Sequence, residues 1–559
     1  MSFRDRKSVS RRGLLGAAGA ALAAGSVQTA APPDGFIDII RPPDLLTAFT
    51  ESEAVPLSRN GRVWTARAIR VEAQPRGPEL PIVIQAPGAA LVRIHLRWRA
   101  RVPETWRVLG DQWERSYGDL EWRGLVGERI LPWYFLAFDG RATHGYGVAT
   151  GAAALCFWQV DGSGVSLWLD VRNGGSGVQL GRRRLEGAVI RSLQGQAGET
   201  PFESARRFCR LLCPYPRLPE SPVYGGNNWY YTYGQNFSDA DILRDCELIA
   251  SLSPGGMNRP FMVIDDGWQA GRNSAGPWDR GNESFPDVPR LAADMQRRGV
   301  RPGIWMRPLY TTASLKDAGR LSGHPAGTID PSLPETLEQV REDIRRLASW
   351  GFELIKHDYS TYDLLGRWGF AMQAELTSDG WHFADRTRTT AEITLAFYRA
   401  IREAAGSAIL IGCNTFGHLA AGLHELQRIG DDTSGRDFNR TRRMGVNTLA
   451  FRMPQHDAFF AADADCAPIT SRLPWDLASR WLDLIGRSGT PLFVSADPRV
   501  IGAEQKHALK RAFAQASEPR PAGEPLTWFE TTTPARWRLQ GETVEYDWFG
   551  PEGATPFPK

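Results

Sequence analysis

The segment ELIKHDYS, from Glu353 to Ser360, follows an apolar run with a lysine, a histidine and an aspartate. Charges at the end of a buried strand are costly unless they are paired or used. Residues two apart on a strand share a face, so Lys356 and Asp358 point together while His357 points the other way. A lysine cation beside Asp358 keeps that carboxylate ionised, as a nucleophile requires. His357 reads as a packing residue between strand and helix. A second pair, Arg428 and Asp432 in RIGDDTS, lies four residues apart and shares a face if the segment stays extended. Asp432 is the candidate acid/base. That role needs a carboxyl raised by burial and by a facing negative charge, whereas Arg428 pulls the other way. Asp431 is the alternative proton donor.

More polar and aromatic residues end other apolar runs: Asn227, Asn228 and Trp229; Asp265, Asp266 and Trp268; Trp305 and Arg307; Asn414; Asp463 and Asp465. A single strand-end aspartate usually caps a helix or makes an ion pair. Carboxylates repeated after several strands, with aromatics beside them, suggest a shared site. His/Cys clusters with metal spacing and a Gly-rich phosphate cradle are both missing, so no metal or cofactor is expected. Two carboxyls, one ionised and one protonated, with hydroxyl-binding neighbours, suit cleavage of a glycosidic bond.

The elements that must position these groups follow from patterning. From Tyr224 to about Ser517, eight apolar runs alternate with helical segments, which favours a (β/α)8 barrel whose strand ends meet at one mouth. Ser332 with Glu335, and Thr389 with Glu392, have the spacing of helix capping boxes. Before the barrel, short alternating runs such as PIVIQ and GVSLWLDVR, broken by Gly and Pro, argue for a large antiparallel β sandwich. The expected organisation is a signal segment over 1–31, the sandwich over 32–218, the barrel over 219–517 and a small C-terminal β segment over 518–559.

The chain has 559 residues, a formal charge of +3 and no polybasic block past its N-terminus, so nucleic acid is a poor partner. Its 20 tryptophans raise the expectation of a carbohydrate substrate, because indole faces stack on sugar rings. SRRGLLGAAGAALAAG reads as a twin-arginine export signal whose apolar run is too short to span a membrane. A periplasmic or secreted protein with no membrane anchor after cleavage is expected. Its six cysteines read as buried free thiols, with a Cys413/Cys466 contact possible.

Together, NNWYYTYG, VIDDGWQ, RRGVRPGIWMRP, ELIKHDYS, RIGDDTS and SGTPLFVSADP resemble glycoside hydrolase clan D, the α-galactosidase families twenty-seven and thirty-six. The domain layout is closer to family thirty-six, and LGDQWERSYGDLEW more loosely resembles that family's N-terminal sandwich. The resemblance implies a retaining exo-α-glycosidase, most simply an α-galactosidase, with Asp358 as nucleophile and Asp432 as acid/base. It assigns Asp265, Asp266, Lys356 and Arg428 to sugar hydroxyls and Trp229 to a stacking wall. Trp305, Arg307 and Asn414 complete the expected substrate set. Cys413-Asn414 and Arg307 depart from the family pattern, leaving α-N-acetylgalactosaminides, β-L-arabinopyranosides and isomaltose-type glucans as alternative substrates. A non-catalytic carbohydrate-binding barrel is the reading from another class.

Overall fold

The structure, a computed structural model, describes residues 35–271, 273–313 and 319–555. The segment read as an export signal lies outside them. Ile37 to Lys559 group as one unit, within which the strands fall into four sheets. The first two are antiparallel, of seven and eight strands, and run from Leu45–Thr50 to Leu185–Leu193. Their strands alternate as the sequence does: Ala90–Arg99 buries Ile94, Leu96 and Trp98 on one face. These sheets form the sandwich, and the parallel sheet after them forms the barrel.

The barrel strands are Tyr224–Asn227, Phe261–Ile264, Arg301–Met306, Leu354–His357, Ile409–Gly412, Leu426–Arg428, a seventh in two pieces, and Leu492–Ala496. The seventh is interrupted. Ala461–Asp463 pairs with strand six and Cys466–Ile469 pairs with strand eight, so the ring closes through Ala464 and Asp465. Asp465 takes a left-handed backbone, φ 71°, at the break. Val223, Phe261, Val263, Leu354, Ile411, Leu426 and Phe493 cluster in a buried core.

Thr389 caps helix Thr390–Ala404 in a full box with Glu392. The Ser332/Glu335 box does not form: helix Pro334–Ser349 starts at Pro334, and Leu333 is its N-cap. Proline suits the first helical position, where no N–H is needed. Ser332 Oγ instead accepts from the Asp385 N–H at 3.1 Å. A three-stranded antiparallel sheet, Glu524–Pro525, Arg536–Leu539 and Glu542–Glu545, follows the barrel.

Two expectations about composition are resolved. All six cysteines are buried and free, Cys413 and Cys466 among them. Eleven tryptophans are among the fully buried side chains, so most of the indole content fills cores and is not available to sugars.

A loop of the sandwich runs to the barrel mouth. Ser116 N–H donates to Ile429 O at 2.9 Å and Asp431 N–H to Ser116 O at 2.8 Å, a parallel bridge that extends strand six. Arg452 fastens the same loop, with Nε 2.7 Å from Asp111 Oδ1 and Nη1 3.0 Å from Ile429 O. No helix among the described residues is long and apolar enough to cross a membrane.

Candidate active site

A cavity of about 310 Å³ opens at the C-terminal ends of the barrel strands, where barrel folds assemble their sites. Trp229, Asp265, Asp266, Trp305, Lys356, Asp358 and Asp432 line it. These seven are brought together from strand ends one, two, three, four and six.

Asp358 stands one residue past strand four. The Tyr359 N–H donates to its Oδ1 at 2.7 Å and the Trp305 indole N–H to its Oδ2 at 3.1 Å. Both oxygens are therefore oriented by hydrogen-bond donors. Tyr359 follows with φ 63°, a strained conformation for a tyrosine, and turns the chain sharply away.

Lys356 does point to the axis, but its closest carboxylate is not Asp358. Lys356 Nζ is 2.8 Å from Asp265 Oδ2, which also accepts from Asn227 Nδ2 at 2.7 Å. Burial works against the ammonium, yet the Asp265 carboxylate holds its pKa well above the ordinary lysine range. Asn228 Oδ1 accepts the Asp265 backbone N–H at 2.8 Å, so the two asparagines at the end of strand one hold the carboxylate and the backbone of this residue. Strand two ends at Ile264, and Asp265 and Asp266 both reach the cavity in the turn that follows. Gly267 makes that turn possible: its φ is 115°, and a Cβ there would lie 2.8 Å from Gly234 O. Burial pushes the Asp266 carboxyl up, against hydrogen bonds from Ser274 and Gln269.

Asp432 is held by two guanidinia. Arg428 Nη2 is 3.0 Å and Arg115 Nη1 3.6 Å from its Oδ1. Burial raises the carboxyl, but Arg428 and then Arg115 outweigh burial and leave it below the usual aspartate range. Its side chain stays 38% exposed, toward the cavity. Asp431 lines the cavity too, with both oxygens engaged: Oδ1 3.2 Å from Arg115 and Oδ2 2.7 Å from Arg440.

Three expected substrate ligands stand behind the lining. Arg307 is spent on Asp363, its Nε 2.9 Å from Oδ2, and its guanidinium lies over the Tyr310 and Tyr359 rings. Arg428 is buried between Asp432 and Asp465, 3.0 Å from each. Asn414 is fully buried; its Nδ2 donates to Glu114 Oε2 and its Oδ1 accepts the Tyr362 N–H at 3.1 Å. Asp463 is buried as well, and burial pushes its carboxyl up to about 6. Asp465 accepts from Tyr230 and Thr433 and holds Arg428 from below. His357 faces away from the axis, its ring 4.8 Å from that of His424, and burial lowers its imidazole to about 4. Trp268 backs Trp305, donating to its carbonyl at 2.9 Å.

Sequence reasoning missed Arg115, Tyr117, Tyr359, Trp368 and Phe370 in the lining. Arg115 and Tyr117 come from the sandwich loop. Just before them, Glu114 accepts from Tyr117 and Gly369 on Oε1 and from Thr361 and Asn414 on Oε2. The available signal was DQWERSYGD itself, a dense polar run inside an otherwise alternating β region.

No protein-family model matches the chain. A structure of TtGalA, the α-galactosidase of Thermus thermophilus, in complex with p-nitrophenyl α-D-galactopyranoside superposes over 90% of this chain and 99% of that one, with a TM-score of 0.56 and 18% identity. The GH36 α-galactosidase AgaA of Geobacillus stearothermophilus superposes over 85% of this chain and 75% of that one, with a TM-score of 0.57 and 13% identity. The fold is that of the GH36 α-galactosidases. The similarity to clan D seen in the motifs thus extends to the sandwich and the barrel of the GH36 fold. Among curated relatives, an α-galactosidase of Oryza sativa subsp. japonica is 24% identical over 143 residues, 25% of this chain and 30% of that protein. Alpha-galactosidase 2 of Arabidopsis thaliana is 25% identical over 143 residues, 32% of its length. The chain therefore matches about a third of the length of these relatives.

Proposed function

We propose that the protein is an exported, retaining exo-α-galactosidase. The observation that carries this reading is the meeting of Asp358 and Asp432, from the ends of strands four and six, in one cavity with Asp265, Asp266 and Lys356. Asp358 attacks the anomeric carbon as Asp432 protonates the glycosidic oxygen, and the leaving group departs. A covalent glycosyl-enzyme remains on Asp358. Asp432, now a carboxylate, takes a proton from water, which attacks the same carbon and releases the sugar with its configuration retained.

The other groups have supporting roles. The hydrogen bonds on both Asp358 oxygens hold a carboxylate in place for attack. Asp265, Asp266 and Lys356 offer two acceptors and a donor to the hydroxyls of the terminal sugar, and Trp229 supplies a flat face. Arg428 positions Asp432 without touching the sugar.

Nitrophenyl glycosides tested on the mature protein decide the sugar. The α-galactoside is expected to turn over faster than the α-N-acetylgalactosaminide, the β-L-arabinopyranoside and the α-glucoside. Proton NMR of the first-formed product is expected to show the α-anomer; the β-anomer would overturn retention, and binding without turnover would favour the non-catalytic reading. Export is tested by replacing Arg11 and Arg12 with lysine and fractionating cells. Unchanged delivery outside the cytoplasm would remove the twin-arginine assignment.

A further inference from the structure

The surroundings of Asp432 pull against its task. It must hold a proton to assist the leaving group, yet Arg428 stands 3.0 Å and Arg115 3.6 Å from its Oδ1, and Lys356 and Arg440 add to the positive charge it feels. The phenols of Tyr230 and Tyr359, both raised by burial, face it uncharged. Asp358 lines the same cavity, and Asp465 shares Arg428 with Asp432. Asp431, the residue before it in the lining, has no part in the double displacement.

Asp431 competes with Asp432 for one guanidinium. Arg115 Nη2 is 3.2 Å from Asp431 Oδ1, nearer than Nη1 is to Asp432 Oδ1. Both carboxylates can reach it because strand six has ended at Arg428 and its side chains no longer alternate. The second Asp431 oxygen, Oδ2, accepts from Arg440 Nη2 at 2.7 Å, and Arg440 stands on the short helix Phe438–Thr441 that follows. The backbone is fixed as well, since the Asp431 N–H donates to the carbonyl of Ser116, the residue next to Arg115.

We propose that Asp431 is a positioning residue for the acid/base: it holds the Arg115 guanidinium back from Asp432, so that Asp432 can carry its proton, and Arg440 sets how much of its charge is left for that task. The proposal rests on the α-galactosidase reading and on Asp432 as its acid/base. Asp431 acts in two ways of one sign. Its negative charge opposes ionisation of the neighbouring carboxyl. Its hold on Arg115 also keeps the 3.6 Å gap to Asp432 from closing to the roughly 2.7–2.9 Å of a charge-assisted hydrogen bond, which would fix Asp432 as a carboxylate. Arg440 works against both effects, because it draws on the same anion.

The test follows the alkaline limb of kcat/KM, which reports the acid of the free enzyme, on α-galactosyl-(1→6)-glucose, whose departure needs a proton. Asp431→Asn keeps the shape of the side chain and removes its charge, and the limb is expected to move about one pH unit lower. Arg440→Met leaves Asp431 wholly to Arg115, and the limb is expected to move higher. Both variants break the same ion pair, so a role in structure alone would shift them alike or not at all. A limb that stays or rises in Asp431→Asn overturns the proposal, as does a shift of the same sign in both variants; should Asp431→Asn fail to fold, the direction in Arg440→Met decides. Loss of disaccharide turnover at every pH in Asp431→Asn, with α-galactosyl fluoride still cleaved, would overturn it by making Asp431 the proton donor itself. If the parent cleaves neither substrate, the α-galactosidase reading fails and takes the proposal with it.

Discussion

Arg115 Nη1 lies 3.6 Å from Asp432 Oδ1, a contact between the sandwich and the end of the sixth barrel strand. It brings a cation from one domain to the candidate proton donor of the other. Because Arg115 is itself buried, the contact is weakly screened by solvent.

The first prediction follows from that contact. Asp432 must be protonated to donate, and Arg428 and Arg115 lower its carboxyl. Removing Arg115 leaves burial less opposed, so the carboxyl rises and the acid form persists to higher pH. In Arg115→Met the alkaline limb of the kcat/KM profile is expected to move to higher pH; a limb that stays or moves lower would contradict this.

Asp358→Gly is expected to lower turnover of an aryl α-galactoside by more than about a thousandfold, with partial rescue by azide as a replacement nucleophile. The azide product should have inverted configuration. Unchanged turnover would remove Asp358 from the nucleophile role.

Arg307 serves structure. Its partner Asp363 is buried, and Arg307→Met leaves that carboxylate unpaired. A loss of about 3–5 kcal/mol is expected in urea unfolding, the cost of stranding a buried charge. KM of the folded variant should match the parent; a selective rise in KM at full stability would restore Arg307 to the substrate.

A pH dependence of stability is expected at Asp245, which accepts from Tyr231 beneath the first barrel strand. Burial lifts its carboxyl from 3.8 to about 7. Between those values the folded state binds more protons than the unfolded one, so this group's contribution falls as pH rises. Asp245→Asn does not ionise, and from about pH 4 to about pH 7 it should lose less stability than the parent, as measured by urea unfolding at each pH. Parallel curves would show that Asp245 is ionised throughout.

Much of this was legible because barrel strands write their purpose at their ends: an apolar run followed by Asp265-Asp266, or by Lys356 and Asp358, is readable residue by residue. What lay hidden depended on distance or on backbone detail. Lys356 and Asp358 share a face as alternation requires, but alternation does not reveal that Asp265, in the turn after a strand two places away, is the closer partner. Arg307 and Asn414 sit at strand ends like true ligands, and only their buried partners, Asp363 and Glu114, show that they are already satisfied. Ser332 failed as a cap because Pro334 fixed the helix start one residue later. The break at Asp465 requires a left-handed residue, and an aspartate two residues after Asp463 in an apolar run does not announce one.

The threefold grip of Glu114 on the barrel loops bears on how small a working catalyst could be. A chain trimmed to begin at Tyr224 would keep every parallel strand and both acidic groups. It would also forfeit the cation above Asp432 and the carboxylate to which Gly369, Thr361 and Asn414 Nδ2 all donate. The β sandwich is thus no detachable accessory, and miniaturisation has to preserve the stretch from Asp111 to Trp122.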